Sequence, residues 1–341
     1  MARMMDVAAK AGVSIKTVSR VLNNEPHVRD DLRQRVREAA EEVGYVPSTS
    51  ARQLRGRRSY TIHMLSHSHR SNYVNAVQFG AAQACQKKGY QLMISLVENM
   101  SDLDHDGLRA FFSDLMDASR PDGLLLVPPL SNDPKLAEVL PEFDVRVARV
   151  GPHDLPGSVR TVMIDERAAA RELTNYLIDR GHKRIAFQRG KEDQKATEVR
   201  FKGYQEALAA ADLPFHEDLV MPGTFEFPSG LAAGDELLRR EQPPTAVFAA
   251  NDDMAAGIIM AAHRLSVTVP EQLSVVGFDD SDVADKIWPA LTTVRQPLLE
   301  YGAAAVSQLI DTLGSSPADE GVEPLRYELI ERDSVARIND A

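Results

Sequence analysis

From Tyr60 onward the sequence alternates short apolar runs with amphipathic stretches, and this alternation constrains the fold more than any other feature. The runs YTIHML, QLMISLV, GLLLVP, VARVG, TVMID, RIAFQRG, AVFAAN and LSVVGFDD read as strands. Helical periodicity fills 73–88, 107–118, 166–180, 198–210 and 253–264 between them. Strands that alternate with helices build βαβ units, whose strands lie parallel. The fold class is therefore α/β, and the strands are too many for one compact sheet.

The first 59 residues follow another pattern. Within DVAAKAGVSIKTVSRVLNN (Asp6–Asn24), Val7, Ala8 and Ala11 share one face of a first helix. Gly12 accepts the positive φ of a turn, and Ser14 stands at the N-cap of a second helix. Val18, Val21 and Leu22 form the buried stripe of that helix. Ile15, Lys16, Thr17, Ser19, Arg20 and Asn23 are left outward, the layout of a helix-turn-helix reading element. Arg29–Val43 reads as a third helix, stopped by Gly44. So small a unit has a small core and marginal stability of its own. YVPSTSARQLRGRRS (Tyr45–Ser59) reads as a linker, with Ser48, Thr49 and Ser50 able to cap a short helix through Ala51–Leu54.

Charge separates the two parts. Residues 1–59 carry 12 Lys and Arg against 7 Asp and Glu, while the rest carry 27 against 43, which returns the overall −11. A basic module on an acidic body fits a nucleic-acid partner for the module alone. No apolar run approaches the length of a membrane helix. MARMMDVAAKAGVS has no apolar signal core, and Cys85 is the single cysteine, so a cytoplasmic protein without disulfides is expected.

AGVSIKTVSRVLNN and HVRDDLRQRVREAAEEVGYVPSTSARQLRGRRS resemble the headpiece of the lactose-repressor (LacI/GalR) family. The resemblance continues through GHKRIAF (Gly181–Phe187), VRFKGY (Val199–Tyr204), FAANDDMAAG (Phe248–Gly257), LSVVGFDDS (Leu273–Ser281) and WPALTTVRQP (Trp288–Pro297). It covers nearly the whole chain in the family's order. It implies an all-α helix-turn-helix headpiece at 1–46 and a hinge helix or linker at 47–59. Residues 60–341 would form an effector-binding and dimerisation domain of two Rossmann-like subdomains of the periplasmic-binding-protein type. The first would take about 60–164 and 296–326, the second about 165–292 and 327–341.

The same resemblance implies a homodimer on a pseudo-palindromic double-stranded operator. Ile15, Lys16 and Arg20 would read bases, and Ser14, Thr17, Ser19 and Asn23 would contact phosphates. Ala51, Arg52 and Leu54 would form the minor-groove hinge, with Leu54 as the wedge. Ser48 stands where many relatives have Asn. Arg200, Asn251 and Asp279 would contact effector hydroxyls, Phe225 would stack on a sugar face, and Ser71, Asn72 and Tyr73 would form the first-subdomain wall. Asp165 and Trp288 are further candidates, against helix capping and subdomain packing. YELIERDSVARINDA has no leucine-heptad tail, so nothing argues for a tail-mediated tetramer.

The expected function is repression of sugar catabolism or uptake genes, released by a mono- or disaccharide. The alternatives are a purine, nucleoside or other corepressor in the same family, and a sugar receptor without regulatory role. No enzyme activity, cofactor or metal is expected. His63, His67 and His69 have no Cys or carboxylate nearby to complete a metal site. The adjacent pairs Asp252–Asp253 and Asp279–Asp280 point apart, unlike a glycosidase acid and base.

Overall fold

The computed structural model describes residues 2–22, 28–45, 58–67, 71–97, 100–152, 159–313 and 324–338. The chain divides into two units, Met1–Tyr60 and Thr61–Ala341.

The first unit holds α1 (Met4–Ala11), α2 (Ile15–Leu22) and α3 (Asp30–Glu42). The Arg3 amide donates to Asp6 at 2.7 Å where α1 begins. Gly12, at φ 64°, ends it. The Ser14 hydroxyl accepts the Thr17 amide at 3.1 Å and caps α2. Val7, Ala8, Ala11, Val18, Val21, Val36, Ala39 and Ala40 form the core, with Leu22 only half-buried beside them. A full Val side chain contributes about 1.5–3 kcal/mol on burial and Ala much less, so this core is weak.

The second unit contains two parallel sheets, as the alternation of runs predicts. The first has β1 (Thr61–Ser66), β2 (Gln91–Leu96), β3 (Gly123–Leu126), β4 (Arg146–Val150) and β5 (Arg160–Val162), in the order β2-β1-β3-β4-β5. Its helices are α4 (Asn72–Lys87), α5 (His105–Ser119) and α6 (Pro134–Val139). Then follow α7 (Glu166–Ile178), β6 (Ile185–Gln188), α8 (Lys195–Ala210), β7 (Val220–Met221), α9 (Phe227–Leu238), β8 (Ala246–Ala249), α10 (Asp252–Arg264), β9 (Ser274–Val276) and α11 (Asp282–Lys286). Their strands pair in the order β7-β6-β8-β9. β1, β3 and β8 are buried along their whole length, the usual state of strands covered on both faces.

The chain passes between the sheets three times, near 163–165, through β10 (Thr293–Arg295) and through β11 (Glu328–Ile330). β10 and β11 pair antiparallel. Between them α12 (Leu298–Asp311) returns to pack on α4 of the first sheet. A Cβ on Gly80 would meet the Leu299 carbonyl at 1.9 Å, so only Gly allows that helix crossing. The final residues rejoin the second sheet, where the Val275 amide donates to the Ser334 carbonyl at 2.9 Å. Among the described residues, no helix is long and apolar enough to cross a membrane.

Candidate functional site

A cavity of about 380 Å³ opens where both sheets end. His67 and Ser71–Val74 reach it from beyond β1, Pro128 from β3, Pro152 from β4 and Glu166 from β5. Lys191 and Gln194 come from β6, Thr224–Pro228 from β7, Asn251 and Asp253 from β8, and Asp279 and Ser281 from β9. Open parallel sheets bind ligands at these carboxyl ends, where loops and helix N-termini converge.

Arg200, on α8, stands at the cavity's buried wall with 3% exposure. Its Nε donates to the Glu166 carboxylate at 2.7 Å, and Nη1 donates to the Ala250 carbonyl. Nη2 lies 3.7 Å from Asp279 Oδ1. The guanidinium carbon sits 3.9 Å from the Phe278 ring centre and 6.0 Å from that of Phe225. Arg200 therefore has two acidic neighbours, and Glu166 is closer than the expected site residue Asp279. One signal could have found Glu166, an acidic residue in the first turn of a helix following a strand, but Asp165 beside it shares that signal.

Asp279 accepts from Gln296 Nε2 at 2.6 Å. Burial pushes its carboxyl up to about 7, with Glu166 and Asp253 adding to the effect and Arg200 and the Gln296 bond opposing it. Its backbone has φ 118°, and that of Phe225 has φ 62°. Non-glycine residues held in such conformations concentrate at functional sites. Asn251 accepts the Met254 amide at 3.0 Å, capping α10, and donates to the Phe225 carbonyl at 3.0 Å. The same side chain thus ties the aromatic loop to the helix. A Cβ on Gly190 would lie 2.0 Å from the Phe225 ring, so Gly190 makes room for it.

The opposite wall belongs to the first sheet. Ser71 caps α4 by accepting the Val74 amide at 3.3 Å, and Asn72 is exposed beside it. The Tyr73 hydroxyl is buried with no hydrogen-bond partner among the described residues. Its ring meets that of Tyr301 edge-on at 6.3 Å, and the Tyr301 hydroxyl donates to Gln296 Oε1 at 3.1 Å. A continuous polar chain thus runs from Asp279 through Gln296 to α12.

Two candidates lie elsewhere. Asp165 does not line the cavity; its carboxylate caps α7 by accepting the Ala168 amide at 2.9 Å. Trp288 does not line it either, and at 77% exposure it is not packed between subdomains. Asp252 is fully buried, accepting the Ser281 amide at 2.7 Å and the Thr293 hydroxyl at 2.6 Å. Its neighbour Asp253 faces the cavity instead. Among the described residues, no group of three or more His, Cys, Asp or Glu is arranged to hold a metal.

On α2, Ser14 (its N-cap), Ile15 and Lys16 are exposed, while Thr17, Ser19 and Arg20 are half-buried. Asn23, the hinge residues Ala51, Arg52 and Leu54, and His69 lie outside the described residues.

Comparison with known proteins places both units. The family profile described as bacterial regulatory proteins, lacI family, matches residues 3–48. A periplasmic binding protein-like domain matches residues 174–335. The HTH-type transcriptional repressor PurR of Pectobacterium carotovorum is 34% identical over 98% of this chain and 97% of its own. The ribose operon repressor of Escherichia coli is 32% identical over 98% and 100%. The solved complex of the transcriptional regulator CelR with cellobiose is 33% identical, covers 98% of this chain and 100% of its own, and superposes with TM-score 0.71. The lac repressor dimer bound to operator and the anti-inducer ONPF is 26% identical, covers 98% and 99%, and reaches 0.78. With a helix-turn-helix unit, two parallel sheets facing one cavity, and full-length relatives above 30% identity, the chain belongs to the lacI family of bacterial regulatory proteins.

Proposed function

We propose that this chain is a homodimeric transcriptional repressor of sugar catabolism or uptake genes, acting in the cytoplasm, that a small carbohydrate releases from a pseudo-palindromic operator. The observation that carries the carbohydrate reading is the acceptor-rich cavity. Glu166, Asp253 and Asp279 line it beside the buried guanidinium of Arg200 and Lys191, with Phe225 to one side. Carboxylates accept from hydroxyl pairs, guanidinium donates to ring and hydroxyl oxygens, and an aromatic face covers the apolar side of a sugar. Arg200, Asn251, Asp279, Phe225 and Tyr73 make these contacts in this reading, with Ser71 and Asn72 on the facing wall. Binding from both walls draws the two sheets together and shifts the equilibrium away from the operator-competent dimer.

On the DNA side, Ile15, Lys16 and Arg20 read base edges, and Ser14, Thr17, Ser19 and Asn23 hold phosphates. Leu54, with Ala51 and Arg52, enters the minor groove. One short helix reads too few base pairs to specify a genomic site, so two copies are required. A dimer also accounts for apolar side chains left on one half of the larger unit. Phe79 on α4, Ile94 and Leu96 on β2 and Leu299 at the start of α12 are 58%, 42%, 60% and 51% exposed.

The test is a thermal-shift screen of the full chain against sugars and nucleobases, followed by operator binding with each hit. A ligand at 100 times its Kd raises stability by about 2.7 kcal/mol. A stabilising sugar that weakens operator binding is the expected result. Stabilisation by a purine alone, with tightened operator binding, would overturn the carbohydrate reading in favour of a corepressor.

A further inference from the structure

The cavity offers more polar groups than the Arg200 cluster uses. Among the described residues, the Tyr73 hydroxyl and His67 Nδ1 are buried on its walls without hydrogen-bond partners. No described residue donates a hydrogen bond to the Asp253 carboxylate. Burial raises the Asp253 carboxyl, and the side chain stays open to the cavity, where a ligand hydroxyl can donate to it.

Its position adds a second stacking surface. Asp253 lies in the first turn of α10, whose amide end favours a negative charge. One turn on, a Cβ at Gly257 would meet the Phe227 carbonyl at 2.4 Å. This close packing sets Phe227 beside the same end of the helix. Phe227 also lines the cavity and is 39% exposed, a second aromatic face besides Phe225. The space agrees. About 380 Å³ is the volume of about a dozen liquid waters at about 30 Å³ each. A hexose has about as many heavy atoms, and bonded atoms pack more densely than separate waters, so one ring leaves room over.

We propose that Asp253 is a specificity-determining residue: its carboxylate accepts a hydroxyl hydrogen bond from a second sugar ring lying against Phe227, so the site takes a disaccharide in preference to a single ring. This rests on the carbohydrate reading.

The experiment is calorimetric titration of the full chain with cellobiose, maltose, sucrose and lactose, and with glucose, galactose, fructose and ribose. At least one disaccharide should bind about tenfold or more tightly than its component sugars. Asp253→Asn, nearly isosteric and checked by its melting temperature, should weaken that disaccharide about tenfold while leaving single sugars within about twofold. Phe227→Ala should do the same. Unchanged disaccharide affinity in Asp253→Asn, or a single sugar binding as tightly as any disaccharide, would overturn the proposal and leave the carbohydrate reading standing. Binding of hypoxanthine or guanine with no sugar, or of nothing at all, would overturn both.

Discussion

At the residue scale, the chemistry of the site turns on which of two adjacent acids faces the cavity. On a helix, neighbouring side chains are about 100° apart, so each pair splits between roles. Asp165 caps α7 while Glu166 holds Arg200. Asp252 anchors Ser281 and Thr293 while Asp253 faces the cavity. The sequence shows acids at strand ends, but the rotation that sorts them depends on where each helix begins. Arg200, Asn251, Asp279, Phe225 and Tyr73 were legible through their motifs. The pairing of Glu166 with Arg200 was not, because the two lie 34 residues apart and Asp165 shares the only local signal.

The Arg200–Glu166 contact changes what Arg200→Ala should do. The side chains of the pair are 4% and 1% exposed, so removing Arg200 strands a buried carboxylate. Such a loss costs about 3–5 kcal/mol of stability. The single variant should melt well below wild type and fail to bind effector. Adding Glu166→Gln removes the stranded charge, so the double variant should regain most of the melting temperature yet remain blind to effector. Restored effector binding in the double variant would make Arg200 structural only.

Asp279 gives the site a pH dependence of known sign. Its carboxyl, raised from 3.8 to about 7, binds a proton more tightly in the folded chain than in the unfolded one. Its contribution to stability therefore declines as pH rises from about 4 to about 7 and is level above that. The fully buried Asp252, also raised by burial and by Asp279, acts in the same direction. A ligand that donates to Asp279 needs the ionised form. Effector affinity should rise through pH 6 to 8, with proton release on binding. Calorimetry at pH 6.5 in phosphate and in Tris should give different enthalpies, and Asp279→Asn should give equal ones. Equal enthalpies in the wild type would show that Asp279 takes no part.

At the scale of elements, long amphipathic stretches were readable and glycine-rich ones were not. α9 begins Phe227-Pro228 and carries Gly230 and Gly234, residues that read as breakers. Pro at a helix start costs nothing, since that amide has no intrahelical partner. The glycines serve packing, because a Cβ on Gly230 would lie 2.0 Å from the Met254 carbonyl of α10. In α2 the sequence placed the cap, the anchors and part of the outward face, while Thr17, Ser19, Arg20 and Leu22 are only half-buried. Ser14 caps it, Val18 and Val21 anchor it, and Ile15 and Lys16 remain outward. If Arg20 pairs with a guanine from this helix, Arg20→Ala should cost about 1–3 kcal/mol at the specific site and relax one base pair. Fluorescence anisotropy on an operator and its single-base variants separates this from a phosphate contact, which would weaken all sequences equally.

At the scale of the whole molecule, the partition of charge and the two-sheet architecture were open to sequence reasoning, but the surface that would join two copies was not. QLMISL reads as one more apolar strand, and nothing local says that β2 is the edge of its sheet. In the structure Met93, Ile94 and Leu96 stand out at 43%, 42% and 60% exposure. An exposed apolar edge invites association, and a two-fold interface uses every residue twice. Burying a whole large apolar side chain contributes about 1.5–3 kcal/mol, and roughly half of each of Ile94 and Leu96 remains to be buried, counted on both copies, so they weigh in a dimer. Ile94→Asp with Leu96→Asp should therefore sediment as a monomer at micromolar concentration. The double variant should still bind effector, since neither residue lines the cavity. Operator affinity should collapse, since each monomer reads only half a site. Trp288→Asp, at the most exposed large apolar side chain among the described residues but on the other half, should leave the dimer intact. A dimeric Ile94→Asp, Leu96→Asp variant, or a monomeric Trp288→Asp, would move the interface off this edge.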